Sequence, residues 1–217
     1  VPVLVYHHLR PTAGYAKETW SYKMSVSPDV FARQMQWLAD EGFTTVSLDE
    51  AVAVLAGASS IEKPVVITFD DNQRSALDVA LPIFAKHEQT ATFYLITNRL
   101  ENASMIGSAD IPTLLEAGMD VQSHTVSHPA LTTLSASALA TELRASREAL
   151  EALTGKPVRH VAYPLTAHNQ TVREATQAAG YVTGSIMDPR VAQPGVDLFK
   201  LPRIMVTDET SLATILE

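Results

Sequence analysis

The chain has 217 residues, 46% of them hydrophobic, with no cysteine and 24 acidic residues against 16 basic, a formal charge of −8. That length can bury a core without disulfide staples. The acidic balance, with no Lys/Arg block, disfavours nucleic acids and anionic membrane surfaces, which want a positive footprint, and no run approaches the roughly 20 apolar residues of a membrane span.

In chain order, residues 3–6 form the first expected strand, and an unusually long loop follows over 9–26. Ser27-Pro28-Asp29 opens a helix, with the serine hydroxyl as N-cap and proline in the first turn. Its apolar face is Phe31, Met35, Leu38 and Ala39, and Gly42 ends it. Residues 44–46 are a short strand, and Ser47 with Glu50 makes a capping box for a helix to about Gly57. Residues 65–69, β-branched and continuous, are the clearest buried strand. A helix over 76–87 follows, bent by Pro82. Strands are expected over 91–96 and 119–123, a short helix over 111–117 and a long one over 135–153. A strand over 160–163, a helix over 171–179 and strands over 181–183 and 201–206 complete the chain, with a loop over 188–198.

This alternation argues an α/β fold with mostly parallel strands, about seven or eight of them, in one domain over 1–217. A closed barrel fits better than an open sheet. His7, Asp70, Asp71, His124 and Tyr163 all follow expected strands, and in a barrel those ends meet at one face.

Asp71, His124 and His128 together offer one carboxylate and two imidazoles, a set that suits Zn²⁺ and leaves a coordination position open. Co²⁺ or Ni²⁺ could take its place. His124 and His128, four residues apart, can be aimed at one point by a helical turn or a tight loop. Asp70 is then a second carboxylate beside the ion, a base for water. Blander readings stand beside these: Asp-Asp-Asn is good turn sequence, and paired histidines can be surface residues. His7 or His8, after the first strand, could protonate a leaving group or serve as a packed structural ring.

Thr68-Phe69-Asp70-Asp71, the spacing His124-Thr125-Val126-Ser127-His128, Ala162-Tyr163-Pro164 with Asn169, and Leu201-Pro202-Arg203-Ile204 together resemble the motifs of the polysaccharide deacetylases, carbohydrate esterases with a NodB-type domain. The opening from Pro2 to His7 resembles the branch acting on poly-β-1,6-N-acetylglucosamine. The resemblance implies a distorted (β/α) barrel with about seven strands, and Asp71, His124 and His128 as metal ligands. It also implies Asp70 as catalytic base, His7 as general acid, Arg203 as the group that keeps Asp70 ionised, and the Leu165 N–H as oxyanion donor. The substrate would be an acetylated glycan, the products a free amine and acetate, and the location extracytoplasmic, with no nucleic-acid partner. The chain departs from the pattern at Asn72, where glycine is usual, and at Leu165-Thr166, where tyrosine-glycine is usual. Tyr15, Trp20 and Tyr22 in the loop over 9–26 would form a sugar-binding wall or a lid. An O-acetyl esterase acting on a glycan such as xylan, and a carbohydrate-binding barrel with weak turnover, are the alternatives.

Overall fold

The computed structural model describes residues 1–216. Ten strands form in chain order: β1 (Val3–Tyr6), β2 (His8–Leu9), β3 (Ser25–Val26), β4 (Thr44–Thr45), β5 (Pro64–Phe69), β6 (Thr92–Leu95), β7 (Asp120–Ser123), β8 (His160–Ala162), β9 (Thr183–Met187) and β10 (Leu201–Met205). Seven of them close a barrel in the order β1-β10-β9-β8-β7-β6-β5, because β1 pairs with β5 as well as with β10. Every pairing is parallel. All seven C-terminal ends therefore open on one face, as the alternation implies.

Helices cover the barrel: α1 (Trp20–Lys23), α2 (Pro28–Asp40), α3 (Leu48–Leu55), α4 (Leu81–His87), α5 (Ile111–Glu116), α6 (Ala136–Thr154), α7 (Gln170–Ala178) and α8 (Leu212–Leu216). Strand alternation decides which side chains face them. Tyr6, Phe69 and Phe93 stack in a row on the outside, with ring centroids 5.5 and 5.1 Å apart. Phe31 of α2 packs against Tyr6 and Phe69, and Phe84 of α4 packs against Phe69 and Phe31. With Tyr6 and Phe69 turned outward, the residues that follow them, His7 and Asp70, turn into the barrel mouth.

Several local expectations needed correction. Ser27 occupies the N-cap of α2, but its hydroxyl bonds Asp208 instead of capping the helix. Ala39 is exposed, and the buried face takes Gln34 instead, which accepts from Tyr6 Oη and donates to the Thr210 carbonyl. Residues Ala76–Ala80 form a π-helical turn before α4. The wider turn eases the clash of the Pro82 ring with a preceding carbonyl. The loop over 9–26 contains α1 and ends in β3, which pairs back on β2 at its start. β9 starts at Thr183, later than expected, and runs through Gly184 and Ser185. These small residues carry little strand propensity. Their size reflects neighbours: a Cβ on Gly184 would lie 1.9 Å from Tyr163 Oη, and Ser185 Oγ pairs with Tyr94 Oη at 3.2 Å.

Asp208 ties the segment after β10 to the start of α2 and to the loop before it. It accepts from Ser27 N and Oγ at 2.7 and 2.8 Å and from the Thr12 hydroxyl. Burial pushes its carboxyl up, but these donors outweigh that and hold it below the usual value. A depressed carboxylate stabilises the fold above its unfolded pKa, about 3.9, and that contribution is lost as pH falls through the folded value. D208A is expected to lose about 1.5–3 kcal/mol at neutral pH, measured by urea unfolding. The gap from native protein should narrow below about pH 4; a gap independent of pH would rule out the charged hydrogen bonds as its source.

Candidate active site

A cavity of about 290 Å³ opens at the C-terminal face of the barrel. Its deep wall is His7, Asp70, Asp71, His124, His128 and Arg203, and its outer wall includes Trp20, Met24, Tyr163, Leu165 and Met187. The sequence-derived site residues thus meet in one place. His8 does not line the cavity. It is only partly buried, and burial together with the charge of Arg10 lowers its pKa to about 4.

Asp70 is buried at the end of β5 and faces Arg203 of β10, itself 1% exposed. The guanidinium grips it with both prongs, Nη1 to Oδ1 at 2.7 Å and Nη2 to Oδ2 at 2.8 Å, and Nη1 also reaches Thr68 Oγ1 at 3.2 Å. Burial alone would raise the Asp70 pKa. The charge of Arg203, then His124, and the hydrogen bonds from Arg203 outweigh it and hold the carboxyl far below the ordinary range. A carboxylate has about four lone-pair sites, so two remain for other donors. His7 Nε2 lies 3.9 Å from Asp70 Oδ2. Burial lowers the His7 pKa despite the pull of Asp70 and Asp71.

Asp71, His124 and His128 present ligand atoms within 4.8 Å of one another. Asp71 Oδ1 lies 3.7 Å from His124 Nε2 and 3.4 Å from His128 Nε2. The edge of a tetrahedron of N/O ligands around Zn²⁺ is about 3.3 Å. Asp71 Oδ1 is buried and has no hydrogen-bond partner, which is costly unless a cation meets it. His124 Nδ1 pairs with the Ala162 carbonyl at 2.8 Å, which leaves Nε2 to point at the carboxylates. Burial, then His124, lowers the His128 pKa and favours the neutral ring a metal needs. The donor set fits a divalent ion.

The backbone around these three residues is strained. Asp71, Asn72, Thr125, His128, Leu165 and Thr166 all have positive φ. Such a conformation costs a non-glycine residue roughly 1–2 kcal/mol. Asn72, in the position where glycine was expected, compensates through its amide. Its Oδ1 accepts from Ile96 N at 2.7 Å and its Nδ2 donates to the Ile106 carbonyl at 3.1 Å. Thr166 adopts φ 58°, the freedom a glycine would supply, and its hydroxyl accepts from Met187 N. Leu165 N–H lies in the first turn of the Pro164–Thr166 segment, where backbone donors lack intrahelical acceptors.

Of the loop aromatics, only Trp20 reaches the cavity. Tyr22 is buried, and Tyr15 packs under Arg10. Trp20 and Leu165 are 62% and 65% exposed, the two most exposed large apolar side chains described, and both stand at this mouth. Arg99 was not anticipated; its Nη1 lies 3.9 Å from Asp71 Oδ1.

Comparison with known proteins gives a consistent result. The family model described as polysaccharide deacetylase matches residues 57–184. A structure of the Streptococcus pyogenes deacetylase PplD in complex with acetate superposes with a TM-score of 0.93 at 27% identity, over 100% of this chain and 98% of that one. A polysaccharide deacetylase from Bacillus cereus gives 0.87 at 26% identity, over 100% of this chain and 68% of that one. The Staphylococcus epidermidis poly-β-1,6-N-acetyl-D-glucosamine N-deacetylase is 26% identical over 208 residues, 89% of this chain and 71% of its own length. No helix among the described residues is long and apolar enough to cross a membrane.

Native protein is expected to bind a single divalent cation, and H128A to lose most of it. Metal analysis after equilibration with Zn²⁺ and gel filtration checks this. Equal content in native protein and H128A would remove His128 from the ligand set.

Proposed function

The chain belongs to the polysaccharide deacetylase family, and from that premise we propose that it is a metal-dependent N-deacetylase. It hydrolyses the acetamide of N-acetylglucosamine units in a glycan to a free amine and acetate, with the whole chain acting as one catalytic domain. The observation that carries this is the meeting of a three-residue metal site, an ionised buried carboxylate and a buried histidine in one cavity. The metal is assigned as Zn²⁺, with Co²⁺ or Ni²⁺ able to substitute, on the donor types of Asp71, His124 and His128. The acetate in the Streptococcus pyogenes structure supports acetyl release. The Staphylococcus relatives support a poly-β-1,6-linked polymer as the specific substrate. Action on such a polymer puts the enzyme outside the cytoplasm.

When bound, the metal supplies Lewis acidity, which lowers the pKa of a water and polarises the amide carbonyl. Asp70, kept anionic by Arg203, removes a proton from the attacking water at its free lone pairs. The Leu165 N–H donates to the oxygen where negative charge develops. His7 enters the reaction neutral, since burial lowers its pKa. Its Nε2 is the nearest ring nitrogen to Asp70 outside the ligand set, so it can pass the abstracted proton to the departing nitrogen. The amide C–N bond breaks, and the nitrogen leaves with that proton. The exposed Trp20 and Leu165 side chains offer apolar faces to the sugar ring beside the acetyl group.

D70N is expected to retain metal while acetate release from N-acetylglucosamine oligomers falls about 10²–10⁴-fold. Metal content and turnover are read on one preparation. D70N that keeps the native circular-dichroism spectrum but takes up no metal would reverse the roles of the two aspartates.

H7A tests His7 as the general acid, because an amine needs protonation to leave and an activated phenolate does not. The variant should lose far more kcat/KM on N-acetylglucosamine oligomers than on an aryl acetate. Equal losses on both, with metal retained, would assign His7 to orienting the site.

A further inference from the structure

Both histidine ligands flank one short loop, and that loop is anchored by a side chain outside the family's catalytic motifs. Glu142 of α6 accepts from Val126 N and Ser127 N, each at 2.9 Å, on its Oε2. Its Oε1 accepts from Ser127 Oγ at 2.6 Å. Two successive backbone N–H groups converging on one carboxylate form an anion nest. The loop carbonyls are held from the other side, where Thr97 N and Asn98 N donate to Thr125 and Val126. Thr125 and His128 have φ of 67° and 63°, so the loop needs partners to keep this shape.

Glu142 is itself placed by a fixed helix. Ser146 Oγ, one turn along α6, pairs at 2.8 Å with Ser123 Oγ, next to His124 in sequence, and the Leu143 carbonyl accepts from Tyr181 Oη. We propose that Glu142 is a positioning residue that sets the metal affinity of the Asp71, His124 and His128 site by holding the 125–127 segment. It touches neither metal nor substrate; it acts through the backbone that aims His124 and His128. Partners behind metal ligands are typically worth 10–100-fold in affinity.

The inference rests on the metal reading above, and its test keeps the two apart. Zn²⁺ affinity is measured by chelator competition for native protein, E142A, E142Q and E148A, and the visible spectrum of each is recorded with Co²⁺. Glu148 is exposed on the same helix and controls for lost helix charge. E142A is expected to bind Zn²⁺ about 10–100-fold more weakly, with an altered Co²⁺ band. E142Q retains a carbonyl oxygen for the two N–H groups and should recover most of the affinity and the native band, and E148A should match native protein. Native-like affinity and spectrum in E142A would overturn the inference, as would an equal loss in E148A or no rescue in E142Q. If E142A does not fold, E142D, whose carboxylate falls one methylene short of the loop, is read for the same loss. Native protein that takes up no Zn²⁺ would defeat the metal reading itself.

Discussion

The barrel mouth depends on one buried ion pair. Asp70 and Arg203 are both almost fully excluded from solvent, where an isolated charge would be prohibitive. The two-pronged geometry makes the arrangement tenable, because each carboxylate oxygen meets its own N–H. The guanidinium also lies 5.1 Å from the Tyr94 ring centroid, and Tyr94 Oη meets Ser185. The pair thus fastens β5 and β10 to β6 and β9 across the interior. Losing one partner of such a pair typically costs about 3–5 kcal/mol, since it strands the other charge. Asp70 is therefore a structural element of the barrel as well as the proposed base.

Strain is concentrated at the same end. Eight non-glycine residues among those described have positive φ, and six of them lie on three loops around the cavity. Each loop carries its own restraint: the Asn72 amide, the Thr125 hydroxyl accepting from His128 N together with Glu142, and the Thr166 hydroxyl accepting from Met187 N. Residues held in costly conformations by several independent bonds mark places where geometry has been specified beyond what folding needs. The rigid parallel strands below supply the platform, and the loops supply direction.

Much of this was legible in the sequence because the signals are local. The continuous run before Asp70, the histidine spacing and the Ser47–Glu50 box each depend on near neighbours. What escaped depends on partners far away in the chain. The strand expected over 181–183 stops short of Gly184 and Ser185, because their smallness answers to Tyr163 and Tyr94. Ser27 has the residue type of a cap, but Asp208, 181 residues on, competes for its hydroxyl. Separating His7 from His8 needed Tyr6 packed outward on Phe31, a contact no pattern of two adjacent histidines contains.

The position of β1 carries a consequence for how the molecule is made. Leu4 pairs with Ile67 on one side and with Ile204 on the other. A ribosome delivers β1 well before β10, so the barrel cannot close until β10 has emerged. Until then Asp70 has no guanidinium to face, and the sheet keeps two open edges of the kind that recruit foreign strands. Completion of the cavity and removal of those edges are the same late event. Until that event the nascent chain is exposed to aggregation and lacks an assembled cavity.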